Sequence, residues 1–268
     1  MNIYSGHEQL SFAKIIYKRS KMKIKALLCS TLIALTANPT IASETKLDVR
    51  FGNNTASDIK DSRVKFMHTF DTGFYFSAEA AQIHNDAYFA GNDSNDSNKN
   101  GLKAAAQEFE ATYKFNINED WYWSPGLVMV TAPNWTEYRP YLKLGTNFDN
   151  GISVTGRYRY NWSNDENGKN YLDGSGTTRG ASNQFDLWVS KSFGDVGLMY
   201  NPRYRYQDGV DQGTGRDDYW EHTVMINYKI DDTWTPYMEL VSVDETYVDS
   251  NGNRENDYAI RLGFVMNL

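Results

Sequence analysis

Arginine and tyrosine alternate at two places in the chain, at residues 157–160 and again at residues 203–206. Successive side chains of a β-strand point to opposite faces, so each stretch would put its arginines on one face and its tyrosines on the other. A guanidinium group stays charged at any working pH and can hold a carboxylate through two parallel hydrogen bonds. The two stretches therefore predict a pair of strands whose cationic faces can bind acidic groups.

The start of the chain differs in composition from the rest. Residues 22–25 are basic, a mostly apolar run follows up to residue 37, and small residues at positions 40 and 42 precede a cleavage site. This succession is typical of a secretory signal peptide. A membrane anchor is the alternative, but a spanning helix needs about 20 apolar residues, which this run does not supply. We therefore expect a cleavable leader, with an N-terminal extension, at residues 1–43 and an exported domain at residues 44–268.

Cleavage of this leader changes the chemistry that is open to the exported domain. The leader contains Cys29, the only cysteine of the chain, so neither disulfides nor thiol chemistry can support the domain. The leader also carries six basic residues and one acidic residue, and its loss changes the formal net charge from −7 to −12. Nucleic acid is not expected as a partner of such an acidic exported chain.

Apolar and polar residues alternate with a period of two from residue 45 onward, for example over residues 109–117 and 224–230. This period is typical of strands with one apolar face. Short turns alternate with long polar loops, as in outer-membrane barrels, where the turns are periplasmic and the loops are outside. We predict an all-β fold, a transmembrane antiparallel β-barrel of about 12 strands. The strands are expected to start near residues 45, 62, 73, 105, 121, 137, 152, 184, 196, 219, 234 and 257.

The membrane decides which face of each strand carries the arginines. An arginine at the middle of the lipid face costs about 2–4 kcal/mol, whereas tyrosine suits the interfacial belt. The arginines are therefore expected in the lumen and the tyrosines outside. The same alternation places further basic residues inside, and the predicted pore lining is Arg50, Arg63, Lys65, Arg139, Lys143, Arg157, Arg159, Arg203, Arg205, Lys229 and Arg261. A lumen of this kind would attract anions.

A neutralised interior is the alternative to an open basic lumen. Acidic residues could face inward and pair with the basic ones, which would give a filled structural or adhesion barrel. The candidates are Asp48, Glu79, Glu108, Glu110, Asp186, Glu221 and Glu239. We favour a channel because the basic set is larger and because about 12 strands enclose more room than the 8 whose side chains can fill a barrel.

Five blocks of sequence carry a family resemblance. They lie at residues 46–50, 138–144, 156–162, 235–239 and 258–263. Together they resemble the oligogalacturonate-specific porin family (KdgM type), which includes an N-acetylneuraminate channel. The similarity extends over nearly all of residues 45–268, in short blocks separated by dissimilar loops.

This resemblance implies a small monomeric 12-stranded barrel in the bacterial outer membrane, in contact with its lipid. Its narrow lumen would carry two basic tracks and conduct acidic oligosaccharides passively. The positions that match the family are Arg50, Arg139, Lys143, Arg157, Arg159 and Arg261. Arg203 and Arg205 are inferred from alternation alone. Oligogalacturonate, related uronates and sialic acid all remain open as the natural solute.

An outer-membrane hydrolase is the competing class of function. Such a barrel can carry a histidine that activates a serine two positions along the strand. The exported domain has His68, His84 and His222, and none has serine at that spacing. The chain shows no zinc-ligand spacing and no cofactor motif, and the Asn/Asp-rich residues 92–100, a conceivable Ca²⁺ loop, do not match the EF-hand pattern. We expect no catalytic residue, no cofactor and no metal.

Overall fold

The computed structural model describes residues 42–56, 59–84, 103–132, 135–165, 181–207, 216–248 and 251–268. The predicted leader, apart from its residues 42 and 43, and the candidate Ca²⁺ loop at residues 92–100 lie outside these ranges. None of the described residues is helical, and this part of the chain accordingly offers no helix with the length and apolar character to cross a membrane.

Twelve long strands account for most of the described residues. They are β1 (Ala42–Asn54), β2 (Lys60–Phe70), β3 (Phe74–His84), β4 (Lys103–Tyr113), β5 (Trp121–Ala132), β6 (Trp135–Asn147), β7 (Ile152–Asp165), β8 (Ser182–Phe193), β9 (Val196–Tyr206), β10 (Asp218–Tyr228), β11 (Trp234–Val248) and β12 (Arg254–Asn267). The two residues Phe115–Asn116 prolong β4 and also pair with β5. Each strand begins within three residues of its predicted start, because the period-two pattern marks the strands directly.

The strands form one closed antiparallel barrel. Each strand pairs with its neighbours in sequence, and β1 closes the ring by pairing with β12, from Lys46 opposite Asn267 to Asn54 opposite Ala259. Closure satisfies the backbone groups of every edge, which a sheet surrounded by lipid requires. The predicted 12-stranded transmembrane barrel is therefore confirmed.

The two faces of the wall have opposite character. Large apolar side chains stand on the outside, and Leu262, for example, is 57% exposed. Charged and amide side chains such as Asp48, Asp186 and Gln184 are buried on the inside. This distribution is the reverse of that in a soluble protein, and it suits a wall that has lipid outside and a polar lumen inside.

The connections differ between the two ends of the barrel. At one end, which we call the short-turn end, residues 71–73, 148–151, 194–195 and 229–233 each join two strands. Gly151 and Gly194 have φ angles of 79° and 62° in these turns, a conformation that glycine adopts without steric cost. At the opposite end, which we call the long-loop end, β2 follows β1 and β12 follows β11 after five residues each, β6 follows β5 after two, and the other connections are longer in sequence and fall mostly outside the described residues.

The candidate pore and its charged lining

A cavity of about 480 Å³ lies inside the barrel. Fourteen of the eighteen described residues that line it are charged. Nine of the predicted basic residues are among them: Arg50, Arg63, Lys65, Arg139, Lys143, Arg157, Arg159, Arg203 and Arg261. Alternation along single strands thus brings together residues from β1, β2, β6, β7, β9 and β12 around one space.

Two predicted lining residues are not among those around the cavity. Arg205 donates from Nε to Ser182 Oγ at 3.1 Å, and Ser182 is buried in the wall. Lys229 does not lie in the lumen, because β10 ends one residue earlier and Lys229 belongs to the exposed turn that follows. Its Nζ lies 2.6 Å from Asp232, and this hydrogen bond raises the pKa of Lys229 and lowers that of Asp232. The alternation of inward and outward side chains along β10 ends at Tyr228, one residue before Lys229.

The tyrosines of the first Arg-Tyr stretch point away from the cavity. Tyr158 and Tyr160 are 43% and 42% exposed on the outer face. In the second stretch the Tyr204 ring packs against Trp220 at 5.0 Å, and its hydroxyl donates to Asp218 at 3.1 Å. The alternation therefore separates rings from guanidinium groups in the way the strand geometry requires.

One row of alternating charges crosses four strands. Strand register places Arg157 beside Asp186, Asp186 beside Arg203, and Arg203 beside Glu221. Asp186, whose side chain is fully buried, receives Arg157 Nη2 at 2.9 Å and Arg203 Nε at 2.8 Å. Arg203 Nη1 also reaches Glu221 at 2.9 Å. We call these four residues the charged row. Its two arginines are fixed by carboxylates.

Arg159 and Arg205 stand one step nearer the long-loop end and have neutral partners. Arg159 Nη2 donates to Gln184 Oε1 at 2.7 Å, while Gln184 Nε2 donates to Asp186 at 2.9 Å. Arg205 meets the hydroxyl of Ser182. No carboxylate of the described strands lies within 4.0 Å of either guanidinium group. We call Arg159 and Arg205 the unpaired arginines.

A second group of charges lies where the barrel closes. Arg50 is 3.3 Å from both Asp61 and Glu239, and Arg261 is 3.7 Å from Glu239. Asp48 pairs with Arg63 and also accepts a hydrogen bond from the hydroxyl of Tyr237 at 2.7 Å. The ion pairs thus connect β1 and β2 with β11 and β12 inside the wall.

A third group lies between β2 and β6. Lys65 Nζ is between 3.8 and 4.0 Å from the carboxylates of Glu79, Glu108 and Glu110. Lys143 Nζ reaches Glu110 at 3.3 Å, and the Tyr141 hydroxyl donates to the same Glu110 at 2.5 Å. Arg139 contacts Glu108 at 3.3 Å and Glu137 at 2.5 Å.

Carboxylates neutralise much of this lining. All seven acidic residues considered from the sequence form ion pairs with basic residues of the lining. Asp61 and Glu137, which were not predicted to face inward, also form ion pairs, with Arg50 and Arg139. Each precedes a lining arginine by two positions, at Arg63 and Arg139, so period two could have revealed both. Five of these nine carboxylates line the cavity. Of the other four, Asp48, Glu137 and Asp186 are buried, and Asp61 is partly exposed outside the cavity lining.

The signs of charge are grouped by strand around the lumen. One cationic side is formed by β12, β1 and β2, with Arg261, Arg50, Arg63 and Lys65, and another by β6 and β7, with Arg139, Lys143, Arg157 and Arg159. The lining carboxylates occupy the strands between, with Glu79, Glu108 and Glu110 on β3 and β4 and Glu221 and Glu239 on β10 and β11. Arg203, on β9, lies beside the second acidic side.

Neither histidine with described contacts forms a hydrolase pair. His222 Nδ1 hydrogen-bonds to Tyr200 Oη at 2.9 Å on the exposed outer face, and His68 Nδ1 lies 2.8 Å from Thr45 Oγ1. Over the described ranges, no cluster of three or more His, Cys, Asp or Glu side chains could hold a metal ion.

Known proteins are similar to this chain in sequence. The sequence model of the oligogalacturonate-specific porin protein (KdgM) family matches residues 39–266. The oligogalacturonate-specific porin KdgM of Dickeya dadantii is 28% identical over 250 residues, covering 91% of this chain and 99% of its own. The N-acetylneuraminic acid outer membrane channel protein NanC of Escherichia coli K12 is 24% identical over 256 residues, covering 91% and 100%.

Solved structures agree with this assignment at the level of the fold. The NanC porin in its rhombohedral crystal form superposes with a TM-score of 0.69 at 20% identity, covering 83% of this chain and all of that one. The KdgM porin in complex with disordered oligogalacturonate gives a TM-score of 0.58 at 19% identity, covering 83% and 99%. The family match spans most of the chain, so the resemblance read from the sequence is confirmed. The chain belongs to the oligogalacturonate-specific porin family and is an outer-membrane β-barrel channel, not an enzyme.

Proposed function

We propose that this porin lets acidic oligosaccharides diffuse passively through its lumen. The names of the relatives supply the class of solute, oligogalacturonate for one and N-acetylneuraminic acid for the other. The observation in this chain that supports it is the composition of the cavity lining. Nine described cations line the cavity, whereas only five carboxylates do, and three of the other four partner carboxylates, Asp48, Glu137 and Asp186, are buried.

This arrangement explains how an acidic protein can attract anions. A solute in the cavity meets nine cations but only five carboxylates, while the buried Asp48, Glu137 and Asp186 act on it from a greater distance. A narrow passage with low-dielectric walls focuses the field of the nearest charges, and the effect weakens as salt rises. The lumen therefore raises the local concentration of acidic sugars without a net positive charge on its wall.

The unpaired arginines are the recognition groups in this proposal: Arg159 lines the cavity, and Arg205, outside that lining, lies at the same level on the other side of Gln184. Arg157 and Arg203 already hold Asp186, so a solute carboxylate competes with a buried partner there. Arg159 and Arg205 hold only an amide and a hydroxyl oxygen, which a carboxylate can replace with a stronger, charge-assisted bond. Such contacts must stay moderate, because conduction requires a solute to leave as well as to enter.

A single chain is sufficient for this function, since β1 and β12 close one complete barrel. We propose that the exported domain, freed of residues 1–43, acts as a monomer in the outer membrane. The ion pairs around the cavity would also suit a filled barrel without transport. Liposome swelling distinguishes this alternative from an open channel.

Liposome swelling tests the proposal. Vesicles that contain the refolded protein are diluted into digalacturonate or into a neutral disaccharide of similar size. We expect the acidic sugar to enter at least as fast as the neutral one at low salt. Arg159→Gln combined with Arg205→Gln should slow the acidic sugar about tenfold, a loss equivalent to about 1.4 kcal/mol, while the neutral sugar is unaffected.

Lys229→Gln is the matched control, because it also removes a predicted pore cation but lies in an exposed turn. It should leave both rates unchanged. Vesicles that swell with neither sugar would support the filled barrel. A wild-type protein that admits the neutral sugar much faster than the acidic one would contradict the proposed selectivity.

A further inference from the structure

Four uncharged residues interrupt the charged lining of the cavity, and they are adjacent. Trp188, Met199, Asn201 and Thr223 are the neutral members of the described lining, and they come from the consecutive strands β8, β9 and β10. Register places Asn201 directly opposite Thr223. We call these four residues the neutral patch.

The neutral patch lies immediately below the charged row, on the side of the short-turn end. Trp188 follows Asp186 by two residues, Asn201 precedes Arg203 by two, and Thr223 follows Glu221 by two. Because β8 and β10 run opposite to β9, all three steps lead toward the same end of the barrel. Two residues along a strand span about 6.6–6.8 Å, so the charged row and the neutral patch are one short step apart.

Trp188 is the prominent member of the neutral patch. Asn201 and Thr223 are buried, whereas Trp188 is only half-buried. The other inward aromatic rings near the lining have their hydroxyls bonded to wall residues, Tyr141 to Glu110 and Tyr237 to Asp48. No residue in the described ranges accepts a hydrogen bond from the Trp188 indole N–H.

Trp188 also contacts a residue of the charged row. The guanidinium carbon of Arg157 lies 4.9 Å from the centre of the indole ring, which is a cation–π distance. The guanidinium group therefore covers one face of the indole ring and leaves the other face for a ligand, with the uncharged side chain of Met199 in the same patch. An apolar plate beside a few polar groups is the usual composition of a small-molecule site.

We propose that the neutral patch is a sugar-ring subsite in which Trp188 stacks against the C–H face of a pyranose. The C–H groups of that face carry partial positive charge and meet the negative face of the indole ring. The carboxylate of the same sugar unit then points toward the charged row, one step along the strands, where the charges of Arg157 and Arg203 attract it while both stay bound to Asp186. Charge alone would attract any polyanion, whereas the two features together select a ring that bears a carboxylate, that is, a pyranose acid. This inference depends on the proposed transport of acidic sugars and adds a specificity determinant to it.

Single-channel recordings in planar bilayers can test the subsite with two probes. The first probe is trigalacturonate, which has both rings and carboxylates, and the second is an aliphatic tricarboxylate without rings. Trp188→Leu keeps an apolar side chain but removes the π face. We expect it to shorten the residence time of trigalacturonate about three- to tenfold and to leave that of the tricarboxylate within about twofold. Trp188→Phe should restore most of the residence time.

Trp220→Leu is the matched control, since Trp220 is exposed on the outer face of β10. It should change neither residence time, and heat-modifiable migration on gels confirms that each variant is folded. If Trp188→Leu weakens both probes equally, Trp188 merely positions Arg157 and the subsite is wrong. An unchanged trigalacturonate residence time overturns it as well. A wild-type channel that neither probe enters would overturn the proposed transport and the subsite together, so the two failures are distinguishable.

Discussion

At the scale of single residues, the lumen contains arginines that are paired with carboxylates of the wall and arginines that have only neutral partners. Asp186 has no exposed side-chain surface and depends on Arg157 and Arg203. Removing the partners of a buried charge typically costs about 3–5 kcal/mol, because the charge stays buried without compensation. We expect Arg157→Gln with Arg203→Gln to destabilise the barrel by this order in urea unfolding from lipid vesicles. Adding Asp186→Asn should recover most of the loss.

The unpaired arginines provide the comparison for that prediction. Arg159→Gln with Arg205→Gln also removes two positive charges, but it leaves no described carboxylate without its partner. The midpoint of urea unfolding should therefore hardly move. Equal destabilisation by the two double variants would show that the charged row has no special structural role.

The partners of individual arginines could not be predicted from the sequence. The alternation was enough to predict that Arg157 and Arg159 share a face, but it did not distinguish their roles. That difference arises because Asp186 stands beside Arg157 and Gln184 beside Arg159. A slip of two residues between β7 and β8 would keep every side chain on its face and could place Asp186 beside Arg159 instead of Arg157. Partner identity therefore depends on register, which the pattern along one strand does not contain. Trp188 is a different case, because it follows Asp186 by two residues and alternation alone places it on the inner face.

At the scale of elements, pairs of glycine and tyrosine fit neighbouring strands together. Gly126 on β5 lies opposite Tyr141 on β6, and a Cβ atom at Gly126 would collide with the tyrosine ring. Gly126→Ala should therefore displace Tyr141 and its 2.5 Å hydrogen bond to Glu110. We expect a loss of about 1–3 kcal/mol, the usual cost of overpacking, measured by urea unfolding.

Gly156 offers a control on the next strand. A Cβ atom there would meet no other atom within 4 Å, and the residue lies inside β7. Gly156→Ala should be neutral or slightly stabilising, because glycine loses more backbone freedom on folding than alanine does. A Gly126→Ala barrel as stable as the Gly156→Ala barrel would contradict the role given to the tyrosine.

The elements themselves were the most predictable part of the protein. Each strand has an apolar outer face that lipid selects and a polar inner face, so period two is visible in the sequence from β1 to β12. The inner-face prediction fails for Lys229, just past the end of a strand, where lipid no longer selects an apolar outer face. Lys229 continues the alternation of β10, yet the chain has already turned there, and the side chain pairs with Asp232 instead. The ends of strands depend on local turn bonds, such as that from Ile230 N to Trp234 O at 3.0 Å.

At the scale of the whole molecule, the distribution of charge matters more than its sum. The chain carries a formal net charge of −7, and the cations of the cavity are matched by carboxylates on the same wall. A count of charges would therefore predict little selectivity. The composition of the cavity lining predicts anion preference, since nine cations but only five of their partner carboxylates line it.

The reversal potential of single channels under a KCl gradient measures this anion preference. We expect anion preference that is strongest at low salt and fades toward 1 M, as the screening length falls from about 10 Å at 0.1 M to about 3 Å. The double variant Arg159→Gln with Arg205→Gln should weaken the preference without reversing it, because eight lining cations remain. A wild-type channel that prefers cations at low salt would contradict the proposed anion preference, because the carboxylates, and not the cations, would then control the lumen.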